Sequence, residues 1–299
     1  MKSTSRDRNG KQIVKVVSGE KALGYLYNTK TGRTVLKIMT RPSVSKVTGK
    51  ILSSRVSRIG IKKFVKQNNI KVEDYEERKY LSYNDFFTRK IKPGKRMICM
   101  AKSALICPCD GKLSYYKIEN DSVFYIKESM YTISELLENE TLAKEFVGGT
   151  CLIFRLSVDD YHRYCYFDWC KKSNNVFIKG VLHTVNPIVF DKYNVYKQNC
   201  REYTVLETEN FGKAVQIEVG AMLVGKIKNL HGEGEFARGA EKGMFEFGGS
   251  TIVLLLKKDV CEIDDDIIQN SAENNETIVK MGERIGVSLV KRSKIGDKK

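Results

Sequence analysis

The chain has 299 residues, 41% hydrophobic and 29% charged, a globular composition with enough apolar side chains for a sizeable core. That composition excludes disordered, collagen-like and low-complexity classes. The longest apolar run, Ile252–Leu256, is five residues, far short of the roughly 18–20 that span a bilayer. The opening Met1-Lys2-Ser3-Thr4-Ser5-Arg6 lacks the apolar centre of a secretory leader.

Lys and Arg number 52 against 36 Asp and Glu, a net charge of +16. No acidic residue falls between Glu20 and Glu73, and the 52 positions 21–72 carry 13 Lys and Arg. They hold +13 of the +16, so the other 247 residues are near balance. Charge this localised marks a surface that meets something anionic, either nucleic acid or an acidic lipid headgroup layer. The eight cysteines (99, 107, 109, 151, 165, 170, 200 and 261) come without a leader, so a reduced compartment is expected rather than a disulfide framework. Cys107-x-Cys109 and Cys165-x4-Cys170 do not form matched zinc knuckles, and His162, His183 and His231 do not fall at ligand spacings around them. No metal is expected.

In chain order, residues 1–20 are polar and are expected to be frayed. Residues 21–72 read as helical in pieces, with Pro42 separating one helix before it from one or two after. Over 51–59, Leu52, Val56 and Ile59 form one stripe and Arg55, Arg58 and Lys62 another, a basic amphipathic helix. An ordinary surface helix shows the same pattern, but the long absence of acids favours an interfacial helix lying on anionic lipid. From about Leu81 the texture changes to short runs rich in Val, Ile, Phe and Tyr between Gly-containing turns. Strands are predicted at Leu105-Ile106, Cys151–Phe154, Val176–Ile178, Ala214–Val219, Met222–Val224 and Thr251–Leu256. One helix interrupts them, opened by the capping box Thr132-Ile133-Ser134-Glu135 and continued by Leu136, Leu137 and Leu142. The expected fold is α+β: a mainly β-sheet domain over 76–286, N-terminal basic amphipathic helices within 1–75, and a disordered basic tail over 287–299.

Four segments carry polar groups suited to chemistry. Asn84-Asp85-Phe86-Phe87-Thr88-Arg89-Lys90-Ile91-Lys92-Pro93-Gly94-Lys95-Arg96 reads by itself as a helix end and a Pro-Gly turn. Cys107-Pro108-Cys109-Asp110-Gly111-Lys112 reads as a turn. Arg155-Leu156-Ser157-Val158-Asp159-Asp160-Tyr161-His162-Arg163-Tyr164-Cys165 ends a strand in a polar cluster, although a lone His is more often structural than catalytic. Phe245-Glu246-Phe247-Gly248-Gly249-Ser250-Thr251 places a Ser after two glycines and directly before an apolar strand. Glycines there permit a strained turn and close approach to the peptide carbonyl, or simply a tight β-turn.

Taken together, in this order, the segments resemble the phosphatidylserine decarboxylases, pyruvoyl-dependent enzymes. The resemblance runs from about Leu81 to Gly286. It includes Phe86-Phe87-Thr88-Arg89-Lys90-Ile91-Lys92-Pro93-Gly94, Pro108-Cys109-Asp110-Gly111, Asp160-Tyr161-His162-Arg163, Val185-Asn186-Pro187, Asn199-x-Arg201, Val219-Gly220-Ala221-x-x-Val224-Gly225, Gly248-Gly249-Ser250-Thr251 and Met281-Gly282-Glu283-Arg284-Ile285-Gly286.

The resemblance implies a proenzyme that cuts itself between Gly249 and Ser250. The Ser250 hydroxyl attacks the Gly249 carbonyl, the resulting ester eliminates, and position 250 becomes a pyruvoyl group at the head of a small chain. That cofactor forms a Schiff base with the amine of phosphatidylserine, and loss of CO2 leaves phosphatidylethanolamine. The resemblance also implies that Asp110 orients a base and that His162 protonates the product carbon. The family pattern runs Asp-Tyr-His-Arg-x-His, and here the second His position is Cys165. Three readings stay open: His162 serves both steps, the Cys165 thiolate acts as base, or processing is slow or lost.

The expected partners are phosphatidylserine, an anionic membrane surface, the large and small chains of the cleaved proenzyme for each other, and a second copy in a homodimer, with no nucleic acid. The expected location is peripheral, on the cytoplasmic side of the cell membrane. Alternatives are a pyruvoyl-dependent decarboxylase of free amino acids, and an inactive decarboxylase-like lipid-binding protein.

Overall fold

The computed structural model describes residues 3–15, 20–119, 123–126, 129–184, 195–221, 226–248 and 250–290. The continuous apolar run at Thr251–Leu256 is long enough only for a strand, and it reads without alternation because both of its faces are buried. It forms the strand Ser250–Leu256, antiparallel to Gly212–Val219 on one side and to Thr150–Leu156 on the other. These three are the middle of an 11-stranded sheet. Beyond Gly212–Val219 come Arg201–Thr208, Cys170–Lys172 and Gly234–Phe236, with Val176–Ile178 also on Arg201–Thr208. Beyond Thr150–Leu156 come Gly111–Lys117, Glu276–Val279, Ser3–Arg6 and Gln12–Lys15.

Alternation along the central strands sorts their side chains into two cores. Leu152, Phe154, Leu156, Ile252, Leu254 and Leu256 pack under two three-stranded sheets. One consists of Ile227–Asn229, Glu241–Phe245 and Arg163–Cys165, the other of Cys261–Ile263, Arg284–Ser288 and Ala104–Ile106. Cys151, Ile153, Val253, Leu255, Val215 and Ile217 pack on the opposite face against Tyr27, Leu36, Ile133, Leu136 and Leu137. The architecture is the expected α+β, mainly sheet, and the predicted strands within the described residues are present; Met222–Val224 lies outside them.

Several local expectations are corrected. Residues 3–6 and 12–15 are strands rather than frayed chain. Ser3–Arg6 finds an open edge on Glu276–Val279, and Arg8 ties the hairpin down through Asp264 at 2.7 Å and Asp266 at 2.5 Å. At the other end, order continues past Gly286, because Arg284–Ser288 pairs on both sides; residues 291–299 lie outside the described residues. Two helices precede Pro42, Glu20–Asn28 and Lys30–Met39, separated where Thr29 caps the second. Pro42 starts the next helix, Pro42–Leu52, the position where its missing N–H costs nothing. The expected single helix over 51–59 breaks at Ser53-Ser54 into a 3-10 turn, Arg55–Ile59. There Ser54 and Ser57 hydroxyls take the carbonyls of Ile51 and Leu52 at 2.6 and 2.8 Å, competing with helix continuation. The capping box forms as predicted, with Glu135 N donating to Thr132 Oγ1 at 3.1 Å. Its helix stops at Leu137 because Glu138 turns left-handed, and a second short helix, Glu140–Lys144, carries Leu142.

A buried polar pair crosses the interface between the large sheet and the sheet containing Glu241–Phe245. Lys242 Nζ lies 2.7 Å from Glu218 Oε1, both side chains fully buried, and donates to Asn229 Oδ1 at 2.9 Å. Breaking such a pair leaves an uncompensated buried charge. Lys242→Met is expected to destabilise the fold by about 3–5 kcal/mol, and Lys242→Met/Glu218→Gln to recover most of that loss. Urea unfolding followed by circular dichroism checks both values.

Candidate active site

The middle strand Thr150–Leu156 runs antiparallel to both of its neighbours, so it ends where Gly111–Lys117 and Ser250–Leu256 begin. Lys112, Arg155 and Thr251 share one row across the three strands. Ser250 pairs with Leu156 in the next row, and Asp110 lies just before Gly111 on the far strand. Strands sit about 4.8 Å apart, which sets Ser250 and the Asp110-Gly111 turn on the order of 10 Å from each other. The sequence segments at 107–112, 155–165 and 245–251 are therefore gathered at one end of the sheet.

Ser250 is fully buried, and its Oγ has no hydrogen-bond partner among the described residues. A buried hydroxyl without a partner is unfavourable, and such groups in native proteins call for an explanation. The chain leading to it is pinned at three points. Phe245 N donates to His162 O at 2.9 Å, Glu246 N to Lys226 O at 3.1 Å, and Phe247 N to Asn84 Oδ1 at 3.0 Å. Gly248 has φ +125°, which side-chain-bearing residues rarely adopt. Gly249 lies outside the described residues.

His162 is fully buried beside Phe87, with ring centroids 4.2 Å apart, and Phe87 in turn packs 5.3 Å from Phe247. His162 Nδ1 is 2.9 Å from the carbonyl oxygen of Asp160. A carbonyl only accepts, so the geometry assigns the proton to Nδ1 and leaves a lone pair on Nε2. That nitrogen has no partner among the described residues. Burial lowers the His162 pKa to about 4, with Arg89 acting in the same direction and the Asp160 and Asp159 charges opposing. The ring is therefore neutral at physiological pH, with an open acceptor nitrogen.

Asp110 is buried, and its carboxylate is committed elsewhere. Arg96 forms a two-pronged contact, Nε to Oδ1 at 2.8 Å and a terminal nitrogen to Oδ2 at 2.5 Å; Lys280 Nζ lies 3.3 Å away, and Met281 N donates at 3.0 Å. Burial pushes its pKa up, but Arg96, Lys280 and the Met281 amide outweigh this and hold it below the usual carboxylate range. Its carboxylate makes no hydrogen bond to His162 among the described residues; the group that orients the imidazole is the Asp160 carbonyl.

Cys165 is buried at the end of the strand Arg163–Cys165, and its amide donates to Pro108 O at 2.8 Å. Burial raises its thiol well above the ordinary value, and Cys107 adds to this, so it is protonated near neutral pH. It borders a cavity of about 210 Å³ together with Tyr161, Arg163, Glu241 and Met281.

Sequence reasoning did not assign Asn84, Phe87, Arg96 or Lys280. Asn84, Phe87 and Arg96 stand within the first polar segment, but only the fold shows that they reach the other three. Lys280 directly precedes the Met281–Gly286 motif, and its approach to Asp110 depends on the sheet pairing.

Comparison with known proteins places the chain in a family. The phosphatidylserine decarboxylase family profile matches residues 83–287. The chain is 50% identical over 265 residues to phosphatidylserine decarboxylase proenzyme 2 of Clostridium acetobutylicum, covering 88% of this chain and 91% of that protein. It is 41% identical over 295 residues to the phosphatidylserine decarboxylase proenzyme of Ruminiclostridium cellulolyticum, covering 96% and 98%. It is 39% identical over 285 residues to the corresponding proenzyme of Clostridium botulinum strain 657, covering 93% and 97%. By the profile match over most of its length and by these identities across nearly whole chains, the chain belongs to the phosphatidylserine decarboxylase family.

Proposed function

We propose that this protein is a self-processing carboxy-lyase that converts phosphatidylserine to phosphatidylethanolamine and CO2 at a membrane surface. The observation that carries this reading is two buried atoms, Ser250 Oγ and His162 Nε2, at one end of the central sheet, neither with a hydrogen-bond partner among the described residues.

A neutral serine is a weak nucleophile and needs a base. His162 Nε2 takes the hydroxyl proton, and Ser250 Oγ attacks the carbonyl of Gly249. The peptide becomes an ester, elimination severs the chain, and position 250 is left as dehydroalanine; addition of water and loss of ammonia convert it to a pyruvoyl group. Position 250 suits such a group. It is excluded from water, and Thr251 anchors it through pairing with Val219 and Arg155 on the two flanking strands. The pyruvoyl ketone supplies an electrophilic carbonyl that takes up a primary amine and accepts the electron pair released with CO2. His162 then delivers the proton that the product carbon requires. Asp110 anchors the turn before Gly111 and does not orient the base. A Cys165 base is disfavoured, because burial keeps its thiol protonated.

The cleaved chains remain one body in this reading. Residues 250–290 include the central strand and the strands Glu276–Val279 and Arg284–Ser288, all hydrogen-bonded to the larger piece.

The membrane part of the proposal rests on 3-10 turn and helix residues in the acid-free region. Val47, Ile51, Val56 and Ile59 are 59%, 61%, 75% and 84% exposed. Lys46, Lys50, Arg55, Arg58, Lys62 and Lys63 lie among them. Apolar side chains rimmed by cations fit an anionic bilayer, to which each basic residue near the surface adds about 1 kcal/mol. In this reading the patch attaches the protein peripherally; no helix among the described residues is long and apolar enough to cross a membrane. Such a patch also favours a lipid over a free amino acid as substrate.

Mass spectrometry tests processing directly. The parent protein is expected to yield two chains meeting at Gly249/Ser250, the smaller with a pyruvoyl-blocked start. Ser250→Ala and His162→Ala are expected to stay at 34.1 kDa, while Cys165→Ala cleaves at the parental rate. Intact parental chain from cells in which it is active would overturn the reading.

The pH dependence has a definite sign. Folded His162 has a pKa of about 4 against an ordinary 6.5, so the unfolded state binds the proton more readily. Its contribution to stability is present above about pH 6.5 and is lost as pH falls toward 4. Self-cleavage of proenzyme made by cell-free translation should follow the neutral imidazole, level above about pH 5 and falling with a midpoint near 4.

Vesicle sedimentation tests the membrane proposal. Binding is expected to vesicles containing phosphatidylserine or phosphatidylglycerol, to weaken with salt, and to drop roughly ten-fold or more in Val56→Asp/Ile59→Asp. Equal binding to purely zwitterionic vesicles would contradict it.

A further inference from the structure

The tie between His162 Nδ1 and Asp160 depends on a group outside the loop that carries them. Asp160 sits in a closed turn: its amide donates to Ser157 O at 2.9 Å, and its Oδ2 accepts from Ser157 N at 2.7 Å. The same Oδ2 receives Lys112 Nζ at 2.5 Å, with both side chains buried. Lys112 belongs to the strand Gly111–Lys117, paired opposite Arg155 on the strand that leads into this turn. The amide and carboxylate of Asp160 are thus occupied, and its carbonyl is the group that faces the imidazole.

We propose that Lys112 is a positioning residue for the base. Its ion pair with Asp160 holds the Asp160 carbonyl against His162 Nδ1, which keeps the ring proton on Nδ1 and the lone pair on Nε2. This rests on the reading of His162 as the base of self-cleavage. A neutral imidazole has two tautomers, and only the one with a bare Nε2 can take the serine proton there. Without Lys112 the buried carboxylate of Asp160 has lost its cation. The turn relaxes to find other partners, the carbonyl leaves Nδ1, and the proton redistributes to Nε2. The other charged groups acting on the ring, Asp159 and Arg89, do so through their charge, and Lys280, which faces Asp160, is hydrogen-bonded to Asp110. None of them replaces the tie.

The test combines a rate with a direct view of the ring. Lys112→Met and Lys112→Met/Asp160→Asn are made by cell-free translation, and cleavage is followed by mass spectrometry. The double variant leaves no unpaired buried charge, so it decides the matter if the single variant does not fold. Both are expected to cleave roughly ten-fold or more slowly than the parent, given what a positioned base contributes. In the non-cleaving Ser250→Ala background, nitrogen-15 spectra of the histidines show His162 protonated on Nδ1. Its signals are identified by their loss in His162→Ala, and adding Lys112→Met should bring in the Nε2-protonated form. A folded variant that cleaves at the parental rate, or a His162 that keeps its proton on Nδ1 alone, overturns the proposal. His162→Ala cleaving normally would instead defeat the assignment of the base. His162→Ala stalled with the Lys112 variants unaffected would defeat only the role of Lys112.

Discussion

The constraint on which the rest depends is the double pairing of the strand Ser250–Leu256. It is paired along its whole length with Thr150–Leu156 and from Thr251 onward with Gly212–Val219, with no exposed side chain along its length. A hydroxyl at its first position is therefore carried by a strand anchored in the sheet, while the chain before it turns through Gly248 with positive φ. A strand fixed in the sheet on one side and a glycine turn on the other suit an attack by a side chain on its own preceding carbonyl. The same pairing explains why a cut there does not dismantle the fold: the bond lies at the edge of the ladder, and no rung of the ladder depends on it.

Electrostatics at this end of the sheet divide into two compartments. Around His162 the surroundings are aromatic, and burial keeps the ring neutral. Around Asp110 they are cationic, and Arg96 and Lys280 hold the carboxylate ionised. A carboxylate so committed is a structural anchor, whereas a neutral imidazole with an unused nitrogen is a proton acceptor. Asp160 links the two kinds of chemistry. Its side chain belongs to an ion pair with Lys112, and its carbonyl belongs to the imidazole.

Much of this was legible in the chain. Thr251–Leu256 and Ala214–Val219 announce buried strands by composition alone, and the capping box at Thr132 forms as written. The polar segments at 84–96, 107–112, 155–165 and 245–251 could be picked out, but not how their side chains pair. The partners of Asp110 come from fourteen residues upstream and about 170 downstream, separations that no local pattern reports. The strand at Ser3–Arg6 was hidden for a related reason. Its sequence is polar, and it is a strand only because Glu276–Val279 offers an edge and Arg8 finds acids far along the chain. The break at Ser53-Ser54 was present in the sequence as two adjacent serines, yet the apolar period running through it suggested one helix.

The acid-free region and the candidate site are not separate modules. Phe64, from the helix Gly60–Asn68, packs 6.4 Å from Phe87 and 5.1 Å from Tyr83, and Tyr83 packs 5.0 Å from Phe247. Phe87 is the ring against His162. One step outward, Ser57 of the 3-10 turn Arg55–Ile59 accepts a hydrogen bond from Tyr83 N at 2.9 Å. That turn carries Val56 and Ile59, which face solvent. A short run of aromatic contacts therefore joins the surface proposed to meet lipid to the imidazole proposed to move protons. For a substrate whose acyl chains stay in a bilayer while its headgroup reacts, this is the economical arrangement. The rings packed around His162 are held in place by the helix and 3-10 turn proposed to meet the membrane.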